Sequence, residues 1–192
     1  MSKAKEALKE ALIESSEITI KIADTLCSKI EKIIELIVDA IRKKKKILIM
    51  GNGGSAADAQ HLVAELVGRF KLERKAIPAI ALTTNTSTLT AIGNDYSFDK
   101  IFGRQIEALA EEGDIVLGLS TSGLSENLIY AFKIAKDLGA TTIGFLGKDG
   151  GKVKDIVDIS ILIPSNNTPR IQEAHITIGH IICEEIEKRL NK

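Results

Sequence analysis

From residue 3 to about residue 45, isoleucine and leucine recur every three or four positions in a stretch otherwise rich in lysine and glutamate. That is the helical period. A helix of this length exceeds what a small domain needs, so the pattern predicts either a break into two helices or an extension that packs on a partner chain. From residue 47 the pattern changes to short apolar runs separated by helical stretches. ILIM (47–50), PAIAL (78–82), DIVLGLS (114–120), TTIGFLG (141–147) and ISILIP (159–164) read as strands. Ser55 to Arg69, Ser87 to Ile92, Phe102 to Ala110, Ser125 to Leu138 and Arg170 to Leu190 read as helices. Strand and helix in turn, with strands apolar throughout, predict an α/β fold with a five-stranded parallel sheet covered on both faces, a three-layer sandwich. There is no repeat, no low-complexity tract and no linker. Residues 1–192 therefore read as one domain, with an N-terminal helical extension over 1–45 used in oligomer packing.

Composition narrows the functions. Apolar residues make up 44 % of the chain, enough for a packed core. The 26 acidic residues balance 26 basic ones, which argues against a broad electrostatic footprint for nucleic acid or an anionic membrane. The one basic run, Arg42 to Lys46, ends a helical pattern and suits a solvated helix C-terminus. Cys27 and Cys183 lie in helical patterns far from any C-x-x-C, as buried thiols of a reducing cytoplasm would. The N-terminus is too charged for a signal peptide, and no apolar run reaches membrane-spanning length.

The chemistry sits in the turns. GNGGSAADAQHL follows the first strand and opens a helix. It matches G-x-G-x-x-A through Gly51, Gly53 and Ala56, a weak dinucleotide signal. A dinucleotide site should add an acid at the end of the second strand. Thr83, Thr84 and Asn85 stand there instead. What remains is a glycine turn that lets a ligand approach the backbone, with free N–H groups at a helix start. The plainer alternative is a strand-to-helix turn with Ser55 as N-cap. A second turn of this kind, LSTSGLSENL, crowds Ser120, Thr121, Ser122 and Ser125 around Gly123. One serine would serve as a cap. Four hydroxyls exceed that need and make a neutral cradle for a phosphate monoester. With no Lys or Arg the grip is moderate, as an enzyme that must release its product requires.

GNGGSAADAQH followed by LSTSGLSENL, on this alternation of elements, resembles the sugar isomerase (SIS) fold, a flavodoxin-like sheet that binds phosphosugars. HLVAELVGRF, AIGNDYSF and TPRIQEAHITIGHIICEEIE extend the resemblance to the phosphoheptose isomerase family over essentially the whole chain. The resemblance implies conversion of D-sedoheptulose 7-phosphate to D-glycero-D-manno-heptose 7-phosphate, the first step toward ADP- or GDP-heptose, in a cytoplasmic homotetramer with interfacial sites. It implies that Asn52, Gly53, Gly54, Asn94, Asp95 and Gln172 line the substrate. Ser55, Ser120, Ser122 and Ser125 would hold the phosphate, helped by Thr121. Glu65 would be the catalytic base and His180 its acid partner. His61, Glu65, Gln172 and His180 would be zinc ligands, with no organic cofactor.

The residues can be weighed separately from the resemblance. His61 and Glu65 are four apart on one predicted helix and share a face about 6 Å apart. That suits a shared metal or a hydrogen-bonded pair, though a plain surface pair has the same spacing. Gln172 and His180 share a stripe of the last helix but stand roughly 12 Å apart along its axis. A straight helix cannot bring both to one ion. They would serve different sites, or one side chain would come from a neighbouring subunit. Pro169 fits the first position of that helix. His175 reads as structural, and Arg69 either as a helix C-terminal cation or as a substrate contact. One rival is a different aldose–ketose isomerase of the same fold, such as an arabinose 5-phosphate isomerase, which would share the serine turn but is not expected to match NDYSF and RIQEAH. The other is a non-enzymatic protein of the same fold, one that binds a replication initiator or senses a phosphosugar. Such a protein would have no reason to keep Glu65 and His180 together.

Overall fold

The computed structural model describes residues 2–191. One unbroken helix, α1, runs from Lys3 to Arg42, about 60 Å at 1.5 Å per residue. Of the two alternatives the break does not occur, because no proline or glycine interrupts the backbone ladder between those residues. Its buried stripe begins only at Ile18 and continues through Ile22, Ile30, Ile33, Ile34 and Ile37. Ahead of it, residues 3–10 are exposed on every side. After Arg42 the basic run is not wholly solvated. The Lys46 ammonium lies 2.7 Å from the buried Asp114 carboxylate and ties the segment that follows α1 to the start of a strand.

Five strands follow: β1 (Ile47–Gly51), β2 (Ala79–Ala81), β3 (Ile115–Ser120), β4 (Thr141–Leu146) and β5 (Ile159–Leu162). All pair in parallel, in the order β2-β1-β3-β4-β5. Alternate residues of each apolar strand feed opposite faces. Ile47, Ile49, Ile115, Leu117, Ile143 and Phe145 join the core on one side, while Leu48, Met50, Val116 and Leu146 join the core on the other. This is why the strands read as continuous apolar runs. Helices α1, α2 (Gly54–Val67) and α6 (Thr168–Leu190) cover the first face, and α4 (Gly103–Leu109) and α5 (Glu126–Asp137) the second. Helix α3 (Thr86–Asp95) follows β2 and buries no residue.

Strand order reverses between β1 and β3, whose ends are level at Gly51 and Leu119. Open α/β sheets bind ligands in the crevice outside the strand C-termini at such a switch point. The glycine turn and the serine turn are therefore neighbours by topology. Two local expectations shift. Helix α6 starts at Thr168, so Pro169 is its second residue and not its first; that N–H is also unpaired in a helix, so proline is tolerated. Of the two cysteines, only Cys183 is buried. Cys27 is exposed on α1, and its thiol donates to the Ala23 carbonyl 3.0 Å away.

Candidate active site

The serine turn is organised by its own hydroxyls. Gly123 takes a positive φ of 65°, and a Cβ there would run into the Gly150 carbonyl. Only glycine fits this corner. Ser120 is buried, and its hydroxyl accepts from the Gly123 N–H at 3.0 Å and meets the Ser125 hydroxyl at 3.3 Å. The Ser122 hydroxyl accepts from the Leu124 N–H at 3.2 Å. Ser125 occupies the N-cap position of α5, yet its side chain makes no capping bond. Its hydroxyl faces Ser120 across the turn instead. The surplus of hydroxyls is thus not spent on capping, and Thr121, Ser122 and Ser125 remain partly open to solvent.

Beside it, Gly53 is the N-cap of α2, with φ 56°, and makes no side-chain cap. Ser55 is not the cap, because the left-handed glycine starts the helix earlier; it lies buried in the first turn. Asn52 and Asn127 exchange two amide hydrogen bonds, each 2.9 Å, between the glycine turn and the first turn of α5. Asn127 is buried and locks the two turns together. Sequence reasoning gave it no role, since its partner lies 75 positions away.

A second cluster lies where α2 and α6 pack side by side. A Cβ on Gly179 would strike the Leu62 side chain, so the glycine lets the two helices approach. Next to this contact the Nε2 atoms of His61 and His180 stand 2.9 Å apart, and His61 Nε2 lies 3.2 Å from a Glu65 oxygen. The imidazole rings are 5.0 Å apart and tilted by 55°. Three basic atoms converge here, and all lie within 4.8 Å of one another. A proton carried by one ring, or a cation, must sit among them. Donors of tetrahedral zinc stand about 3.3 Å apart when each bond is about 2.0 Å. The 2.9 and 3.2 Å separations lie near that value, and two imidazoles with a carboxylate match in kind a donor set of catalytic zinc.

Gln172 does not join that trio. Its amide packs at the other end of α2, within 2.5 Å of where a Gly54 Cβ would be. Within one chain, the glycine turn and Gln172 form one end of the α2–α6 seam, and His61, Glu65 and His180 lie two turns further on. Asn94 and Asp95 are exposed at the end of α3, bonded to each other at 2.8 Å. Arg69 is also exposed, 4.0 Å from Glu73.

Burial shapes the surrounding groups. The pKa of Asp58, one turn before His61, is raised by burial, with the His61 charge pulling the other way. Burial pushes the Cys183 thiol up to about 12, with the Glu65 charge adding to the rise, so it is an inert apolar neighbour of the site. His175 is fully buried, and burial drives it down to about 4. The Leu146 carbonyl pulls weakly the other way, but it already accepts from the Ile163 N–H at 2.9 Å. Neither ring nitrogen has a formed hydrogen bond among the described residues.

The sequence pattern of the SIS domain matches residues 12–147. A phosphoheptose isomerase of Geotalea daltonii is 58 % identical over 185 residues, covering 96 % of each chain. The solved phosphoheptose isomerase of Neisseria gonorrhoeae superposes with a TM-score of 0.92 at 40 % identity, over 97 % of this chain and 100 % of that one. That of Francisella tularensis gives 0.94 at 36 % identity over the same shares. A sheet with its switch point at a glycine turn and a serine turn, and likeness along nearly the whole length, lead to one assignment: the chain belongs to the SIS domain family and, within it, to the phosphoheptose isomerases.

Proposed function

We propose that this protein is an aldose–ketose isomerase that converts D-sedoheptulose 7-phosphate to D-glycero-D-manno-heptose 7-phosphate through an enediolate. The observation that carries the reading is the meeting of Glu65 with His61 and His180 from helices 119 positions apart. Packing alone gives no reason to converge three basic atoms at a half-exposed surface.

The Glu65 carboxylate takes the proton from C1 of the ketose, and the electron pair moves into the C1–C2 bond as the C2 oxygen gains charge. The same carboxyl returns the proton at C2 as the carbonyl forms at C1. His180 carries the matching proton between the two oxygens. Glu65 and His180 are then the catalytic residues. Ser120, Thr121, Ser122 and Ser125, with the α2 and α5 N-termini, hold the phosphate at the far end of the chain of carbons, and that remote binding energy fixes the reacting carbons against Glu65. His61, Glu65 and His180 would hold zinc, which supplies Lewis-acid stabilisation of the enediolate oxygens when bound.

Asn94, Asp95 and Gln172 complete this reading as substrate-lining groups, and Gln172 would reach the ion only from another subunit. A homotetramer with interfacial sites is supported by the apolar side chains that α1 leaves exposed, Leu8 at 68 %, Leu12 at 72 % and Ile20 at 58 %. The same reading carries the expectation of a cytoplasmic enzyme. Proton NMR of sedoheptulose 7-phosphate with the purified protein is the direct test. The anomeric signal of the aldoheptose phosphate should grow with wild type and slow by about 10³-fold with Glu65→Gln, the contribution typical of a positioned base. No growth with wild type, zinc added, would end the isomerase reading.

A further inference from the structure

Glu187 lies near the end of α6 with its side chain 1 % exposed, and the proton-transfer chemistry does not use it. It is nevertheless fully engaged. One oxygen accepts from the Phe70 N–H at 2.8 Å and the Arg74 Nε at 3.0 Å. The other accepts from the N–H groups of Lys71 and Leu72, both at 2.9 Å. Burial works to raise the Glu187 pKa, but these backbone donors and the Arg74 charge outweigh it and hold the carboxyl below its ordinary range. Arg74, 2 % exposed, turns its other nitrogens onto the carbonyls of Leu66 at 2.8 Å and Glu65 at 2.7 Å. One ion pair therefore joins α6, the segment just after α2, and the last turn of α2.

Stability is a weak reason for such a pair. Desolvating two charges offsets most of their attraction, and apolar residues of like volume often serve as well. What the pair fixes is more telling. Phe70, whose backbone Glu187 holds, stacks on the His180 ring with centroids 5.4 Å apart and planes 24° apart. Lys71, held by the same carboxylate, reaches Glu184 at 2.7 Å and closes the edge of that stack. The carbonyl gripped by Arg74 belongs to Glu65 itself.

We infer that Glu187 and Arg74 are positioning residues, which hold Phe70 flat against His180 and fix the Glu65 turn, so that the imidazole keeps its Nε2 aimed at His61 and Glu65. This rests on the reading of Glu65 and His180 as the proton-transfer pair. A ring held by packing needs no reorganisation when charge moves. Charge alone does not explain the arrangement, because the carboxylate is neutralised by its own arginine.

The test uses the full-length protein and two readouts. In a proton–carbon correlation spectrum of the histidine rings, the His180 signal is identified by its loss in His180→Asn. It should sit upfield in wild type, under the ring current of Phe70, and move toward its Phe70→Leu position in Glu187→Gln. The kcat of Phe70→Leu and of Glu187→Gln should each fall about tenfold, as the loss of one aromatic contact worth up to about 1.5 kcal/mol allows, with KM unchanged. The double variant should be no slower than the worse single, because both substitutions act through one contact on His180. Phe70→Tyr should restore both signal and rate. If Glu187→Gln lowers stability but leaves the His180 signal and kcat at wild-type values, the pair only holds the fold together. If Glu187→Gln does not fold, Phe70→Leu decides alone, and a wild-type kcat there overturns the proposal. If wild type turns over no substrate while the His180 signal still responds to Glu187→Gln, the positioning device stands and the isomerase reading falls.

Discussion

The serine turn and the His61–Glu65–His180 cluster are built in opposite ways. The turn is local. The hydrogen bonds of its hydroxyls join residues no more than five positions apart, and one glycine sets the corner. The cluster is tertiary. It exists only because α2 and α6 lie side by side, in a register where residues 61 and 180, and residues 70 and 187, come opposite. On the proposed reading, binding energy comes from the segment whose shape the chain dictates, and chemistry from the seam between two segments. A seam can be adjusted by ångströms through distant packing, and proton transfer is sensitive on that scale. It follows that stress on α6 should damage the cluster while leaving the serine turn intact.

The largest such stress is acid. His175 sits in the middle of α6, fully buried against Phe145. Its folded pKa is depressed to about 4, from an ordinary value of 6.5. The neutral ring is the folded form, so this contribution to stability is complete above pH 6.5. It is lost as pH falls toward 4, because the unfolded chain takes up the proton first. By pH 5 the loss should be about 2 kcal/mol, at 1.36 kcal/mol for each unit below the unfolded pKa. Urea denaturation of wild type beside His175→Leu, at pH 7 and pH 5, measures the difference in slope. Equal slopes would mean that α6 is not the acid-labile element.

A smaller stress acts on the seam itself. Gly179→Val puts a branched side chain where Leu62 already lies. Overpacking of this kind costs about 1–3 kcal/mol, and the helix-propensity gain from removing glycine returns part of it. The activity loss should be disproportionate. Moving His180 away from His61 by about 1 Å should lower kcat on the order of 10²-fold, with inorganic phosphate bound as tightly as by wild type. Phosphate binding is read by calorimetry. A parallel fall in both would show that the two regions are one cooperative unit, and the contrast between them would fail.

That contrast also governs what was legible in the sequence. Strand identity, the parallel sheet and the two turns were readable because each depends on neighbours in the chain. The α2–α6 register was not. His61 and Glu65 could be placed on one face by counting, but the 2.9 Å approach of His180 depends on Gly179 and Leu62. The separation of Gln172 from His180 followed from helix geometry, and Gln172 does lie at the Gly54 end. Ser55 as a cap was wrong by two residues, since Gly53, in the left-handed region, starts the helix without a side-chain acceptor. Asn127, Arg74 and Glu187 gave no signal, because their partners lie 75 and 113 positions away and share no spacing rule.

The smallest effect is the sharpest on the serine turn. Ser125 stands at the N-cap of α5 but does not cap it. If its hydroxyl served the helix, Ser125→Ala would cost about 1 kcal/mol of stability. If it serves a phosphate, the same change leaves stability within a few tenths of a kcal/mol. Substrate binding then weakens by about tenfold, the worth of one hydrogen bond to a charged group. Thermal denaturation and the KM for sedoheptulose 7-phosphate, measured on the same preparation, separate the two. A raised KM at unchanged stability assigns the hydroxyl to the ligand. Lowered stability at unchanged KM returns it to capping, and with it the argument that four hydroxyls around one glycine exceed what a helix start requires.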